Sequence, residues 1–255
     1  MEGLPVRGPP ARGRAADLTS DRSVRRRRGV TRYPHADPAA RRIIFWRHGR
    51  TEWNRSGLFQ GQEDIDLDET GREQAVRAAE VLATRQPSMI VSSDLRRAAD
   101  TAAALGDLSG VEVSFDARLR ETDAGAWQGL SFADIDEKFA DDNAAWRGGD
   151  PEVRAGGAEN RLEVGERMLA AVTDAVARIE PSETLVVVSH GGSIRAALAA
   201  LMGLPPQRWG ALAGLSNCHW SEVHEVVGRA EALFSWQLTE HNVGLGSLPV
   251  EPLEG

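Results

Sequence analysis

The hydrophobic pattern divides the chain near residue 41. Residues 1–40 carry Arg, Pro, Gly and Ala without any apolar period, which predicts a disordered basic arm. From Arg41 onward, short apolar runs alternate with helical periods. Ile43–Trp46, Met89–Val91 and Leu185–Val188 are uninterrupted apolar stretches, as expected of strands buried on both faces of a parallel sheet. Ala75, Ala78, Ala79 and Leu82 recur at i, i+3, i+4, i+7 behind Asp68, a predicted N-cap. Met168, Val172, Val176 and Ile179 form a second helical stripe, and Ile194, Ala197, Leu198 and Leu201 a third. This alternation predicts an α/β fold, a three-layer sandwich whose mostly parallel central sheet is flanked by helices. The expected organisation is an arm over 1–40, one catalytic domain over 41–240, and an irregular Gly- and Pro-bearing tail over 241–255.

Charge narrows the partners. Residues 1–42 hold 11 Arg and 4 acids, a balance of +7, and the rest of the chain is at −15. An acidic body argues against nucleic-acid binding, because phosphate backbones demand a basic face. No apolar run is long enough to cross a bilayer, so no membrane is expected. Arg25 to Arg28 could suggest a twin-arginine export signal, but the following Gly29–Ala40 has no apolar core. Cys218 is the single cysteine. It excludes an internal disulfide, suits a reducing cytoplasm and is expected to be a buried structural thiol.

Three apolar runs end in charge-rich elements that open helices. They read Trp46-Arg47-His48-Gly49-Arg50-Thr51-Glu52-Trp53-Asn54, Ser92-Ser93-Asp94-Leu95-Arg96-Arg97-Ala98, and Ser189-His190-Gly191-Gly192. In open α/β sheets, ligands bind beyond the carboxyl ends of strands, so two Arg-bearing and two His-bearing ends should converge. Helix N-termini there, with Gly191 and Gly192 allowing close backbone approach, favour an anion. Arginine forks match phosphate oxygens and keep their charge at any working pH. A neutral histidine attacks phosphorus well once surrounding cations cancel charge repulsion. These groups need neither a metal nor a cofactor, since the protein's own cations can neutralise the transferred phosphoryl group.

These motifs resemble the signature of the histidine phosphatase superfamily, the phosphoglycerate-mutase-like enzymes. The likeness continues through Gly61-Gln62, Leu67, Gly71, Thr101-Ala102, Leu119-Arg120-Glu121 and Gly125-x-Trp127-x-Gly129, in family order over roughly residues 43–240. The resemblance implies that His48 is the nucleophile and becomes a phosphohistidine. It implies that Arg47, Arg97 and His190 hold the phosphate, with Asn54 as a further donor, and that Gln60 and Gly191 meet the substrate. Glu121 is the implied general acid and base, and His190 belongs to the catalytic set. Register selects Arg97, which directly precedes Ala98, over Arg96, expected to be a solvated neighbour. One departure is the stretch Gly156-Gly157-Ala158-Glu159-Asn160, where many members carry a Gly-Glu-Ser turn.

Outside these motifs, His219, His224 and His241 lack a metal-ligating pattern, and Glu121 could instead pair with Arg118 or Arg120. Trp127 and Trp146 are candidates for lining a substrate cleft or for core packing. Family mutases carry an insert rich in Tyr, Lys and paired Arg, whereas residues 133–150 here hold Asp134, Asp136, Glu137, Asp141, Asp142 and Asp150. That favours hydrolysis over mutase activity, and the intact motif residues argue against a catalytically idle binding module. Residues 85–98, with Arg118–Thr122 and Trp127–Leu130, resemble the branch of the family formed by actinobacterial glucosyl-3-phosphoglycerate phosphatases. The implied partner is a small phosphorylated metabolite, and a homodimer is compatible with the sequence.

Overall fold

The structure, a computed structural model, describes residue 37, residues 39–228 and residues 235–245. The expected basic arm, 1–40, lies almost wholly outside the described residues. The described chain is built on a six-stranded sheet, and a short helix, α1 (Glu52–Arg55), follows its first strand. Four strands run parallel: β1 (Arg42–Arg47), β2 (Met89–Ser92), β3 (Val113–Phe115) and β4 (Thr184–Ser189). Two more, β5 (Trp220–Glu225) and β6 (Trp236–Val243), add antiparallel pairings on the β1 side. The spatial order is β3-β2-β4-β1-β5-β6, so β1 and β4 lie side by side in the centre. The expected mostly parallel α/β sandwich is therefore the observed fold, and the three apolar runs are its three central strands.

Side-chain alternation along β1 shows why helices cover both faces. Ile43 and Phe45 point to one side, where they pack with Leu185, Val187 and the helices α6 (Arg161–Val176) and α7 (Gly191–Leu201). Ile44 and Trp46 point to the other, against Val186, Val188 and the helices α2 (Glu69–Ala83) and α3 (Arg96–Ser109). Each such side chain contributes about 1.5–3 kcal/mol by leaving water. The cap expected at Asp68 is present, its side chain accepting from Gly71 N at 2.7 Å. A third, smaller apolar cluster lies beneath α4 (Phe132–Lys138) and α5 (Ala140–Arg147), around Trp127, Ile135 and Trp146.

The C-terminal boundary needs correction. Residues 241–243 are not irregular but complete β6, which pairs with β5. The alternation there is masked because Glu222 and Glu240 occupy the ladder and share one guanidinium, Arg85, at 3.4 and 3.1 Å. An ion pair replaces the apolar contact that sequence periodicity detects. Cys218 is buried, and burial pushes its thiol pKa up, which suits an inert packing role.

Candidate active site

The site forms where β1, β2 and β4 end. Register pairs Arg47 with Ser189, and His48 N then donates to Ser189 O at 3.1 Å, so the two histidine-bearing ends advance together. The His48 and His190 ring centroids lie 5.1 Å apart. Backbone crowding fixes Gly49, because a Cβ there would stand 2.3 Å from Gly71 O. The loop after β1 is thereby pressed onto the first turn of α2, and Gly49 N donates to Thr101 Oγ1 at 3.1 Å.

Hydrogen bonds assign the protons on both rings. His48 Nδ1 is 2.7 Å from Gly49 O. A carbonyl can only accept, so Nδ1 carries the hydrogen and Nε2 keeps its lone pair. His48 lines the cleft, and its Nε2 makes no hydrogen bond to a described residue. His190 is arranged differently. Its Nδ1 accepts from Arg97 Nε at 3.2 Å, so its Nε2 carries the hydrogen toward Ser93 Oγ at 2.9 Å. His190 is fully buried behind the cleft, with both nitrogens engaged.

Arg97 is also fully buried, and its Nη1 and Nη2 donate to Glu63 O and Gly61 O at 2.6 and 2.7 Å. Arg96 instead is 57% exposed and pairs with Asp64 and Asp66, as the register argument expected. Arg47 Nη1 donates to Leu215 O at 2.6 Å. Backbone carbonyls thus help to hold both guanidinium groups in place.

Glu121 pairs with neither Arg118 nor Arg120, which bind Asp116, Asp174 and Asp94. Its Oε1 accepts from Thr122 N, Ser193 N and Ser193 Oγ at 2.8–3.0 Å, and its Oε2 from Gly192 N at 3.0 Å. This differs from the expectation of a substrate anion at that helix start. The N-cap residue of α7 is His190, whose side chain caps nothing, so Glu121 satisfies the second and third amides of the helix. Gly192 is required by that contact, since a Cβ there would lie 2.8 Å from Glu121 Oε1.

Sequence reasoning missed Arg167. It pairs with Glu159 at 2.7 Å and donates to the carbonyls of Arg118, Arg120 and Glu121 at 2.6–2.9 Å. Glu159 lies within the divergent Gly156–Asn160 stretch and also accepts from Asp123 N at 2.9 Å. That stretch therefore braces the segment carrying Glu121 from behind.

These groups border one open cleft. Of the expected residues, Arg47, His48, Gln60, Arg97, Glu121 and Gly191 line it. Asn54 is set back: its Oδ1 accepts from Thr51 N and Oγ1 and from Asn217 Nδ2, at 3.1–3.2 Å. Trp146 lines the cleft with Phe59 and Phe132, whereas Trp127 is fully buried behind it. Arg195, absent from the sequence reading, is also on the wall. Among the described residues, no three His, Cys, Asp or Glu side chains group as metal ligands, and no helix is long and apolar enough to cross a membrane.

Burial, then Arg97, holds both His48 and His190 well below the ordinary imidazole pKa, with Arg47 adding to the effect. Both rings are therefore neutral at pH 7. The linkage has a definite sign. Below about pH 6.5 the unfolded histidines gain protons that the native ones refuse, so stability falls as pH falls. His241, lowered by burial, acts in the same direction. Denaturant titrations between pH 8 and 5 should lose up to about 1.4 kcal/mol per pH unit for each such histidine once below pH 6.5. A profile flat to pH 5 would contradict the neutral assignment.

Known proteins share this fold. Residues 43–237 match the histidine phosphatase superfamily (branch 1), and the chain belongs to that family. It is similar to the glucosyl-3-phosphoglycerate phosphatase of Mycolicibacterium vanbaalenii, with 48% identity over 72% of this chain and 84% of that one. The enzyme of the same description from Mycobacterium tuberculosis is 44% identical over 80% of this chain and 95% of its own. A solved mycobacterial glucosyl-3-phosphoglycerate phosphatase, in complex with VO3, superposes with a TM-score of 0.74 at 45% identity, covering 80% of this chain and all of that one.

Proposed function

We propose that the chain is a phosphomonoesterase that removes phosphate from glucosyl-3-phosphoglycerate through a phosphohistidine on His48, leaving glucosylglycerate. The carrying observation is the His48 tautomer, with Nδ1–H fixed on Gly49 O and the Nε2 lone pair unused by any described residue, on a ring that lines the cleft together with Arg47 and Arg97. The two mycobacterial relatives, at 44–48% identity, support the substrate. An aromatic wall of Phe59, Phe132 and Trp146 suits a sugar ring, which packs its C–H face on aromatic surface.

In the first step, the Nε2 lone pair forms a bond to phosphorus while the phosphorus–ester oxygen bond breaks. Arg47 and Arg97 balance charge on the transferred group, and Gly49 O stabilises the positive ring that forms. The departing alkoxide takes a proton from Glu121. Oε1 already accepts from four donors and Oε2 from one, so the proton belongs on Oε2. In the second step water attacks phosphorus, gives its proton to the Glu121 carboxylate, and the phosphorus–nitrogen bond breaks. Phosphate leaves and His48 returns to its neutral form. His190 orients Arg97 through Nδ1, and its Nε2–H reaches a phosphoryl oxygen by exchanging its bond to Ser93.

A panel of phosphate esters assayed for free phosphate tests this reading. Glucosyl-3-phosphoglycerate is expected to give the highest kcat/KM, at least about tenfold above 3-phosphoglycerate, because a buried sugar contact is worth more than one kcal/mol. Interconversion of phosphoglycerates without net phosphate release would replace a hydrolase by a mutase.

A further inference from the structure

We propose that Arg195 binds a carboxylate on the substrate beside the reacting phosphate, so that the cleft selects phosphate esters of hydroxy acids over those of plain alcohols. The inference rests on the phosphatase reading above and adds to it a binding group for the acid half of the substrate. Arg195 stands one helical turn after Gly191 on α7. That spacing places both on one face of the helix, and both line the cleft.

Its surroundings differ from those of the other buried arginines. Arg47, Arg97 and Arg167 are anchored on backbone carbonyls. Arg161 is anchored too, on the carbonyls of Asp150 and Trp146, with its guanidinium 3.6 Å over the Trp146 ring. Arg195 is half-buried, yet its guanidinium has no hydrogen bond or ion pair to a described residue. Burial lowers its pKa, and the nearby Glu121 carboxylate opposes this in part. Glu121 does not close on it, because the Glu121 oxygens are taken by the α7 amides and by Thr122.

A partly desolvated cation with no partner is unfavourable, and an entering anion removes that cost. Arg161 strengthens the attraction, being near enough that Arg195, after burial, helps push its pKa down to about 10. One planar fork matches the two oxygens of one carboxylate. The phosphate at His48 and the carboxylate at Arg195 would then flank the ester oxygen that Glu121 protonates.

The test compares 3-phosphoglycerate with glycerol 3-phosphate, which differ by a carboxylate, in wild type and in Arg195→Gln. The variant should lose about 10- to 100-fold more kcat/KM on 3-phosphoglycerate than on glycerol 3-phosphate, mainly through KM, the usual worth of a charge-assisted pair. Arg195→Lys keeps the charge but loses the fork, so it should show a smaller loss in the same direction, and it serves also if the glutamine variant folds poorly. Equal losses on both esters, no loss, or a loss confined to kcat would overturn the proposal; the last would assign Arg195 to Glu121. Hydrolysis of glucosyl-3-phosphoglycerate by wild type separates the two readings. If wild type ignores it while the differential loss appears, the substrate assignment fails and the carboxylate site stands. If wild type hydrolyses it and Arg195→Gln treats both esters alike, the carboxylate site fails and the assignment stands.

Discussion

His48→Ala is expected to reduce turnover of any phosphate ester by about four orders of magnitude or more, because the covalent route disappears with its nucleophile. The competing candidate is His190, whose ring centre is 5.1 Å away. Its two nitrogens are engaged by Arg97 and Ser93, whereas only His48 presents a lone pair to the cleft. Brief incubation with a labelled phosphate ester, followed by alkaline denaturation, should leave acid-labile label on wild type and none on His48→Ala. The ring is almost fully buried, so His48→Asn is the companion variant, retaining polarity in the pocket while remaining unable to form the intermediate. Turnover within tenfold of wild type, or label retained on His190 in either variant, would remove His48 from the role.

Glu121→Gln should slow phosphorylation by an alkyl phosphate by about two to four orders of magnitude, the usual worth of general acid catalysis. Nitrophenyl phosphate should suffer much less, since nitrophenolate leaves without a proton. Steady-state rates can hide the contrast, because hydrolysis of the phosphohistidine also uses Glu121 as base. The first-turnover burst with each ester is therefore the measurement. Every contact to Glu121 is an N–H or O–H donor, so the amide can sit only one way. Its oxygen must replace Oε1, and its NH2 then faces Gly192 N, a lost hydrogen bond of about 1 kcal/mol. That cost falls on both esters alike, whereas the proton-delivery effect depends on the leaving group. Equal slowing of both bursts would mean that Glu121 shapes the pocket's electrostatics and delivers no proton.

Much of the site was readable because its parts are local. Each of the three motifs follows an apolar run, and chain direction in a parallel sheet sends all three to the same edge. The choice of Arg97 over Arg96 needed only register, and the helix start at Asp68 only a side chain of the right type three residues before Gly71. The Glu121 role came from family likeness, since nothing in residues 119–121 shows what the carboxylate will meet.

What the chain order could not show is set by contacts between distant segments. Glu121 meets Ser193 across 72 positions of sequence, and Arg47 meets Leu215 across 168. Those contacts decide that the start of α7 holds the protein's own carboxylate and is not left open to a substrate anion. Folding likewise placed Trp146 on the cleft and Trp127 behind it, turned Arg167 into the brace of the Glu121 segment, and left Arg195 on the wall without a partner among the described residues. Apolar periodicity and caps are spelled within a few residues, because helix and strand repeats are short. A buried charge takes its meaning from whichever groups the fold brings to it, and only the packed tertiary structure supplies those.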